Sequence, residues 1–113
     1  EGWDTIFEEW LKTSNIKKKD LILIFSVGGG NKAKKISVNL IKAINYAKKN
    51  SIKIISILGK KEGYAAKHSN VRIAIENDLN DKNLLTPISE SIQTVIWHFL
   101  VSHPKLQEKK TKW

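Results

Sequence analysis

The sequence has no cysteine, which excludes a disulfide scaffold, a thiolate zinc site and a cysteine nucleophile, and is compatible with the cytosol. It also has no methionine, so it does not contain its own start; we expect residues upstream of Glu1 and a functional unit larger than these 113 residues. Long apolar runs are missing. The longest, Ile22–Phe25 and Ile54–Leu58, are strand-sized and far short of the roughly 18 residues a membrane span needs. The N-terminal stretch carries Glu1, Asp4, Glu8 and Glu9, the opposite of a secretory signal. A cytoplasmic location without membrane attachment is therefore expected. Arginine is nearly absent: Arg72 stands alone against 19 lysines in a net charge of +9. A basic chain suggests nucleic acid as a partner. Base and phosphate readers, however, depend on the bidentate fork of Arg. The lysines here are scattered, with Lys17–Lys19 as the densest run. Lys, Ile and Asn (19, 16 and 9) are over-used together, the mark of a whole-chain compositional bias. We expect a solvated basic surface that attracts anionic metabolites, and no nucleic-acid partner.

What is present is the composition of an ordinary soluble domain, 41% hydrophobic and 27% charged, at a length of one domain or part of one. Trp3–Thr13 places Ile6, Phe7, Trp10 and Leu11 opposite Glu8, Glu9 and Lys12, an amphipathic helix. Leu21–Phe25 is continuously apolar and reads as a strand buried on both faces of a parallel sheet. A helix is predicted from about Lys32 to Asn50, with Ile36, Leu40, Ile41, Ile44 and Ala47 on one stripe. A second strand, Lys53–Leu58, completes a βαβ unit. Gly59–Gly63 is a turn, Tyr64–His68 one helical turn, Val71–Ile75 a third strand and Asn77–Asn83 a polar loop. A final helix is predicted over Thr86–Ser102, with Thr86 as cap, Pro87 at the first helical position and a stop before Pro104. Residues 105–113 form a basic tail. The fold class is α/β, one wing of a doubly wound parallel sheet, and its open edge asks for further strands from upstream.

Two places can carry chemistry. Ser26-Val-Gly-Gly-Gly-Asn31 follows the first strand and enters a helix, where open parallel sheets bind their ligands. Glycines let a ligand approach the backbone, and N–H groups at a helix entrance suit an anion. The spacing is neither a dinucleotide fingerprint nor a Walker loop. Three consecutive glycines exceed what a tight turn needs, so an anion or sugar-phosphate site is expected. A valine at Gly29 is expected to obstruct that site while leaving the fold intact. On the last helix, Glu90, Thr94 and His98 form a polar column; Glu90 and His98 are eight residues apart, within about 80° around the helix axis. Such a column is either a solvent-facing or satisfied network, or part of a catalytic site. His68 and His103 are weaker candidates, and no paired-histidine metal spacing occurs.

The segments DLILIFSVGGGN, SVNLIKAINYAKKNSIKIISILGKKEGYAAKHSNVRIAI and SIQTVIWHFLVSHP together resemble the SIS (sugar isomerase) domain, and within it the phosphoheptose isomerases. The resemblance covers about residues 3–104, the C-terminal half of a family member. It implies a flavodoxin-like three-layer α/β/α domain, residues 1–104 being its C-terminal part. Ser26 falls on the first serine of the family's sugar-phosphate loop, and Gly28 and Asn31 where later hydroxyl residues stand; backbone N–H groups and Asn31 then replace those hydroxyls. With Gly29 and Gly30 these are the residues that the resemblance assigns to the phosphoryl group. His98 falls on a histidine implicated in metal binding and proton transfer, and Glu90 on a glutamine that contacts substrate and metal. The implied function is aldose–ketose isomerisation of a ketoheptose 7-phosphate through an enediol(ate), with His98 and Glu90 in catalysis. Zinc or another divalent ion, a phosphorylated sugar as partner and a homotetramer are implied with it. The alternative is a non-catalytic module that binds a sugar phosphate for regulation.

Overall fold

A computed structural model describes residues 2–76, 81–110 and 112. The chain runs α1 (Ile6–Thr13), β1 (Leu21–Ser26), α2 (Val38–Lys49), β2 (Lys53–Leu58), α3 (Tyr64–His68), β3 (Val71–Ala74) and α4 (Leu85–Ser102), with short 3-10 turns at Trp3–Thr5 and Lys82–Leu84 leading into α1 and α4. Asn77–Asn80 of the polar loop, and Thr111 and Trp113 of the basic tail, lie outside the described residues.

The three strands form one parallel sheet in the order β1-β2-β3. Ile24 pairs with Ser56 and Ser26 with Leu58; beyond β2, Ile57 pairs with Ile73. The strands expected at Leu21–Phe25, Lys53–Leu58 and Val71–Ile75 are thus parallel neighbours. The helix between the first two supplies the crossover that a parallel pair requires.

Side chains alternate across a strand, so residues in register share a face. On one face Ile24, Ile54 and Leu58 meet Ile44 and Ala47 of α2 and Ala65 and Ala66 of α3 in a single core. Alanine at these helix positions lets the helices sit close to the sheet. α1 packs on α2. The other face differs from the expectation of a strand buried on both sides. Leu21, Leu23 and Phe25 of β1, and Val71 and Ile73 of β3, are 41–54% exposed. Of the 18 residues of α4, only Ser89 and Gln93 are buried. An apolar groove of about 220 Å³ also runs along β1, lined by Phe7, Trp10, Leu23, Phe25 and Leu40. The architecture is a mixed α/β fold with a three-stranded parallel sheet, well covered on one face.

Two helix starts are displaced from their sequence-based positions. α2 begins at Val38, not near Lys32. Asn31 and Ile36 pair through both backbone groups (2.9 and 3.0 Å), and the Asn31 side-chain oxygen accepts from the Lys34 N–H at 2.9 Å. Lys35 and Ser37 then adopt left-handed backbone (φ 53° each), which cannot extend a helix backwards. Ile36 consequently leaves the apolar stripe and is exposed. In α4, Thr86 and Pro87 lie inside the first turn and Thr86 makes no capping bond. Asp81 instead accepts from the Asn83 N–H at 2.9 Å and starts the 3-10 turn that leads into α4. Pro87 is tolerated there because its missing N–H has no acceptor in the first turn. The stop before Pro104 is as expected, with the helix ending at Ser102.

Candidate functional site

Ser26 is the last residue of β1, so the glycine turn that follows lies at the carboxyl edge of the parallel sheet, where ligands of open α/β sheets bind. The turn is braced from three sides. Within itself, the Gly29 N–H donates to the Ser26 hydroxyl oxygen at 3.0 Å. From β2, the Gly59 N–H donates to the Ser26 carbonyl at 3.0 Å. From α3, the N–H groups of Tyr64 and Ala65 donate to the carbonyls of Gly30 and Gly29 at 2.9 and 2.8 Å. The turn therefore caps the short α3 rather than opening directly into α2. The expected helix entrance beside the glycines is replaced by the Asn31–Ile36 hairpin, and an anion here must rely on the turn's own N–H groups.

The three glycines are not equivalent. Gly29 and Gly30 are buried and left-handed, at φ 69° and 80°. A Cβ on Gly29 would stand 3.4 Å from the Cβ of Ala65. Valine at Gly29 would thus strain the backbone, contrary to the expectation that the fold would be unaffected. Gly28 is exposed, does not have positive φ, and a Cβ there would meet nothing within 4 Å. Among the described residues no hydrogen bond engages the N–H of Gly28 or Gly30. Gly28 is the point at which the turn offers its backbone to solvent. Opposite it, a Cβ on Gly63 would collide with the Gly28 carbonyl, so the end of the Gly59–Gly63 turn packs directly on the glycine turn. Asn31 is exposed, and its side-chain oxygen is spent on Lys34 N–H. Its amide hydrogens are the group left to meet a ligand. Lys32, Lys34 and Lys35 follow and give the rim a positive charge.

Glu90 and His98 are both exposed on α4, and no hydrogen bond or ion pair among the described residues holds either side chain. Thr94, between them, returns its hydroxyl to the Glu90 carbonyl at 2.9 Å. The His98 ring stacks on Trp97, centroids 3.9 Å apart. Eight residues of helix separate Glu90 from His98 by a rise of about 12 Å. Among the described residues no three of His, Asp or Glu come together as a metal site. Two donors so far apart do not fit a zinc ion by themselves.

The sequence reading missed Gln93. It singled out the column Glu90–Thr94–His98, whereas the buried polar residues of α4 are Ser89 and Gln93, four apart on the neighbouring strip. The Gln93 amide nitrogen donates to the Ser26 carbonyl at 3.0 Å and to the Ile57 carbonyl at 2.9 Å. The available signal was a small residue and an amide at i, i+4 within an apolar helix, the pattern of a side chain turned inward to satisfy backbone.

His68 illustrates the electrostatics of the amino end of the sheet. Partial burial and the charges of Lys48, Lys67 and Lys32 push its pKa below the usual histidine value of 6.5. Lys48 Nζ lies 2.8 Å from His68 Nδ1, which makes the neutral ring an acceptor there. Compared with protein-family models and with curated proteins, the sequence matches none.

Proposed function

We propose that this chain binds the phosphoryl group of a phosphorylated sugar at Ser26, Gly28, Gly29, Gly30 and Asn31, as part of an SIS-type aldose–ketose isomerase acting on a ketoheptose 7-phosphate. The observation that carries the proposal is the turn at the carboxyl edge of the parallel sheet, with unengaged N–H groups at Gly28 and Gly30 and an accessible backbone at Gly28. Unpaired backbone donors beside lysines suit a dianion. In the isomerisation a proton leaves the carbon next to the carbonyl, an enediol(ate) forms, and the neighbouring carbon is reprotonated. His98 is the side chain of this chain to which the proposal assigns that proton transfer. Glu90, on the same helix, is assigned the second carboxyl role in this reading. No step is assigned to a metal, because the donors of this chain do not converge on one. The doubly wound three-layer sheet and the homotetramer belong to the same proposal. The uncovered strand residues Leu21, Leu23 and Phe25, together with Trp10 and Trp97, are the surface that further copies of the chain, or the upstream residues expected from the sequence, would cover.

A second reading, the sugar-phosphate-binding module without catalysis, has its own support: the braces of the turn all lie within this chain, whereas Glu90 and His98 are exposed and no hydrogen bond among the described residues holds either side chain. His98→Asn separates the two. As an acid–base group, His98 should lose at least about a hundredfold in turnover on this change, with an unchanged melting temperature because the ring is exposed. Wild-type turnover in a stable variant removes His98 from the mechanism and leaves the binding module.

A further inference from the structure

Gln93 is 6% exposed on a helix whose other faces are largely open, and its single amide nitrogen spans the ends of two adjacent strands. An NH₂ group directs its two hydrogens about 120° apart in one plane. Donating both at once, to Ser26 and to Ile57, fixes the side chain and the spacing of the two carbonyls. The Ser26 carbonyl already accepts from the Gly59 N–H, and the Ser26 hydroxyl accepts from Gly29. The orientation of the Ser26–Val27 peptide, from which the glycine turn departs, is thus held by Gly59 on one side and Gln93 on the other. Ser89, one helical turn earlier, is fully buried and packs against Gly59, so α4 meets the end of β2 at a second point. No other residue of α4 is buried.

We propose that Gln93 is a positioning residue for the Ser26–Asn31 turn: it locks the anchor peptide of the turn to α4. The anchoring stands on the geometry alone; its consequence for anion affinity rests on the function proposed above. If the turn binds phosphate, ordering α4 and binding the anion favour one another through this one side chain.

The test uses the whole chain with Gln93→Met, which keeps length and apolar volume but removes both donors, and Gln93→Glu. A carboxylate facing two carbonyls has no hydrogen to donate, but regains one O–H on protonation, which such surroundings promote. The readouts are amide hydrogen exchange at Gly29 and Gly59, compared with Ile54 in the core, and the affinity for inorganic phosphate. With Gln93→Met, Gly29 and Gly59 should exchange at least about tenfold faster relative to Ile54, and phosphate affinity should fall about tenfold. With Gln93→Glu the protection should be lost at pH 7.5 and recovered towards pH 5. Glu90 and His98 on α4, and His68 on α3, are ionisable side chains of the wild type as well, so the wild-type pH series is the control. From β1 and β2 the groups that bond Gln93 are the Ser26 and Ile57 carbonyls, which do not titrate. Uniform loosening of Gly29, Gly59 and Ile54 together, or no pH-dependent recovery in Gln93→Glu, overturns the positioning role. If the wild type binds no phosphate while the selective loss and its recovery occur, the positioning role stands and the anion site falls.

Discussion

Two neighbouring glycines make opposite demands, and substituting each in turn tests the site without confusing binding with folding. Gly29 has φ 69°, and an L-residue there costs roughly 1–2 kcal/mol of backbone strain. A Cβ would stand in van der Waals contact with Ala65 at 3.4 Å, so the backbone angle carries the cost. Gly28 has no positive φ and nothing within 4 Å of a Cβ, so alanine there should be neutral or stabilise by about 0.4–1 kcal/mol through the unfolded chain. The two alanine variants should therefore differ by about 2 kcal/mol. At roughly 4–8 °C per kcal/mol for a domain of this size class, that is a melting-temperature gap of about 10 °C, easily resolved by thermal unfolding. Binding should divide the other way. Gly28→Val fills the one place where the backbone is open and should weaken phosphate binding more than about tenfold, or about 1.4 kcal/mol, at wild-type melting temperature. A Gly28→Val protein that melts as low as Gly29→Ala would refute the assignment of the turn's conformation. Unchanged phosphate affinity in a stably folded Gly28→Val protein would return the turn to a purely structural part.

Two further outcomes can be checked on the same preparations. His68 has a depressed pKa in the folded chain, so the folded state binds fewer protons than the unfolded state below pH 6.5. Its stabilisation is complete above the unfolded value and is lost as pH falls through the folded one. Urea midpoints should accordingly drop on acidification below about pH 6.5, less in His68→Gln; equal slopes in both would remove this histidine from the pH dependence. Light scattering at micromolar concentration should give a mass above one chain, lowered by Leu23→Asp. A monomer throughout would count against the assembly through the open face of the sheet.

The parallel sheet was legible because Leu21–Phe25 and Lys53–Leu58 carry apolar runs, Val71–Ile75 shows the pattern of a half-polar strand, and a single helix separates the first two. Register, and with it burial, was not. Continuous apolarity in β1 describes what the strand asks for, while the exposure of Leu23 and Phe25 depends on which elements arrive to cover them. The start of α2 was misplaced because Lys32–Lys35 are good helix formers locally. The Asn31 side chain and two left-handed residues prevail over that propensity through a hairpin that no periodicity reveals. At the site, the glycines of the turn were visible in the sequence, but their unequal roles were not, since these follow from Ala65 and Gly63 packing against them. Gln93 was hidden for a similar reason. A helical wheel places a glutamine between strips, and only the ends of β1 and β2, distant in sequence, give its two hydrogens their acceptors.

The central claim, that the Ser26–Asn31 turn receives a phosphoryl group, is tested most directly by titrating the isotopically labelled chain with sedoheptulose 7-phosphate and following the backbone amides by NMR. Saturable shifts centred on Gly28, Gly30 and Asn31, reproduced by inorganic phosphate and abolished in Gly28→Val, are the predicted result. Shifts that never saturate, spread over the surface lysines and vanish with added salt would contradict it.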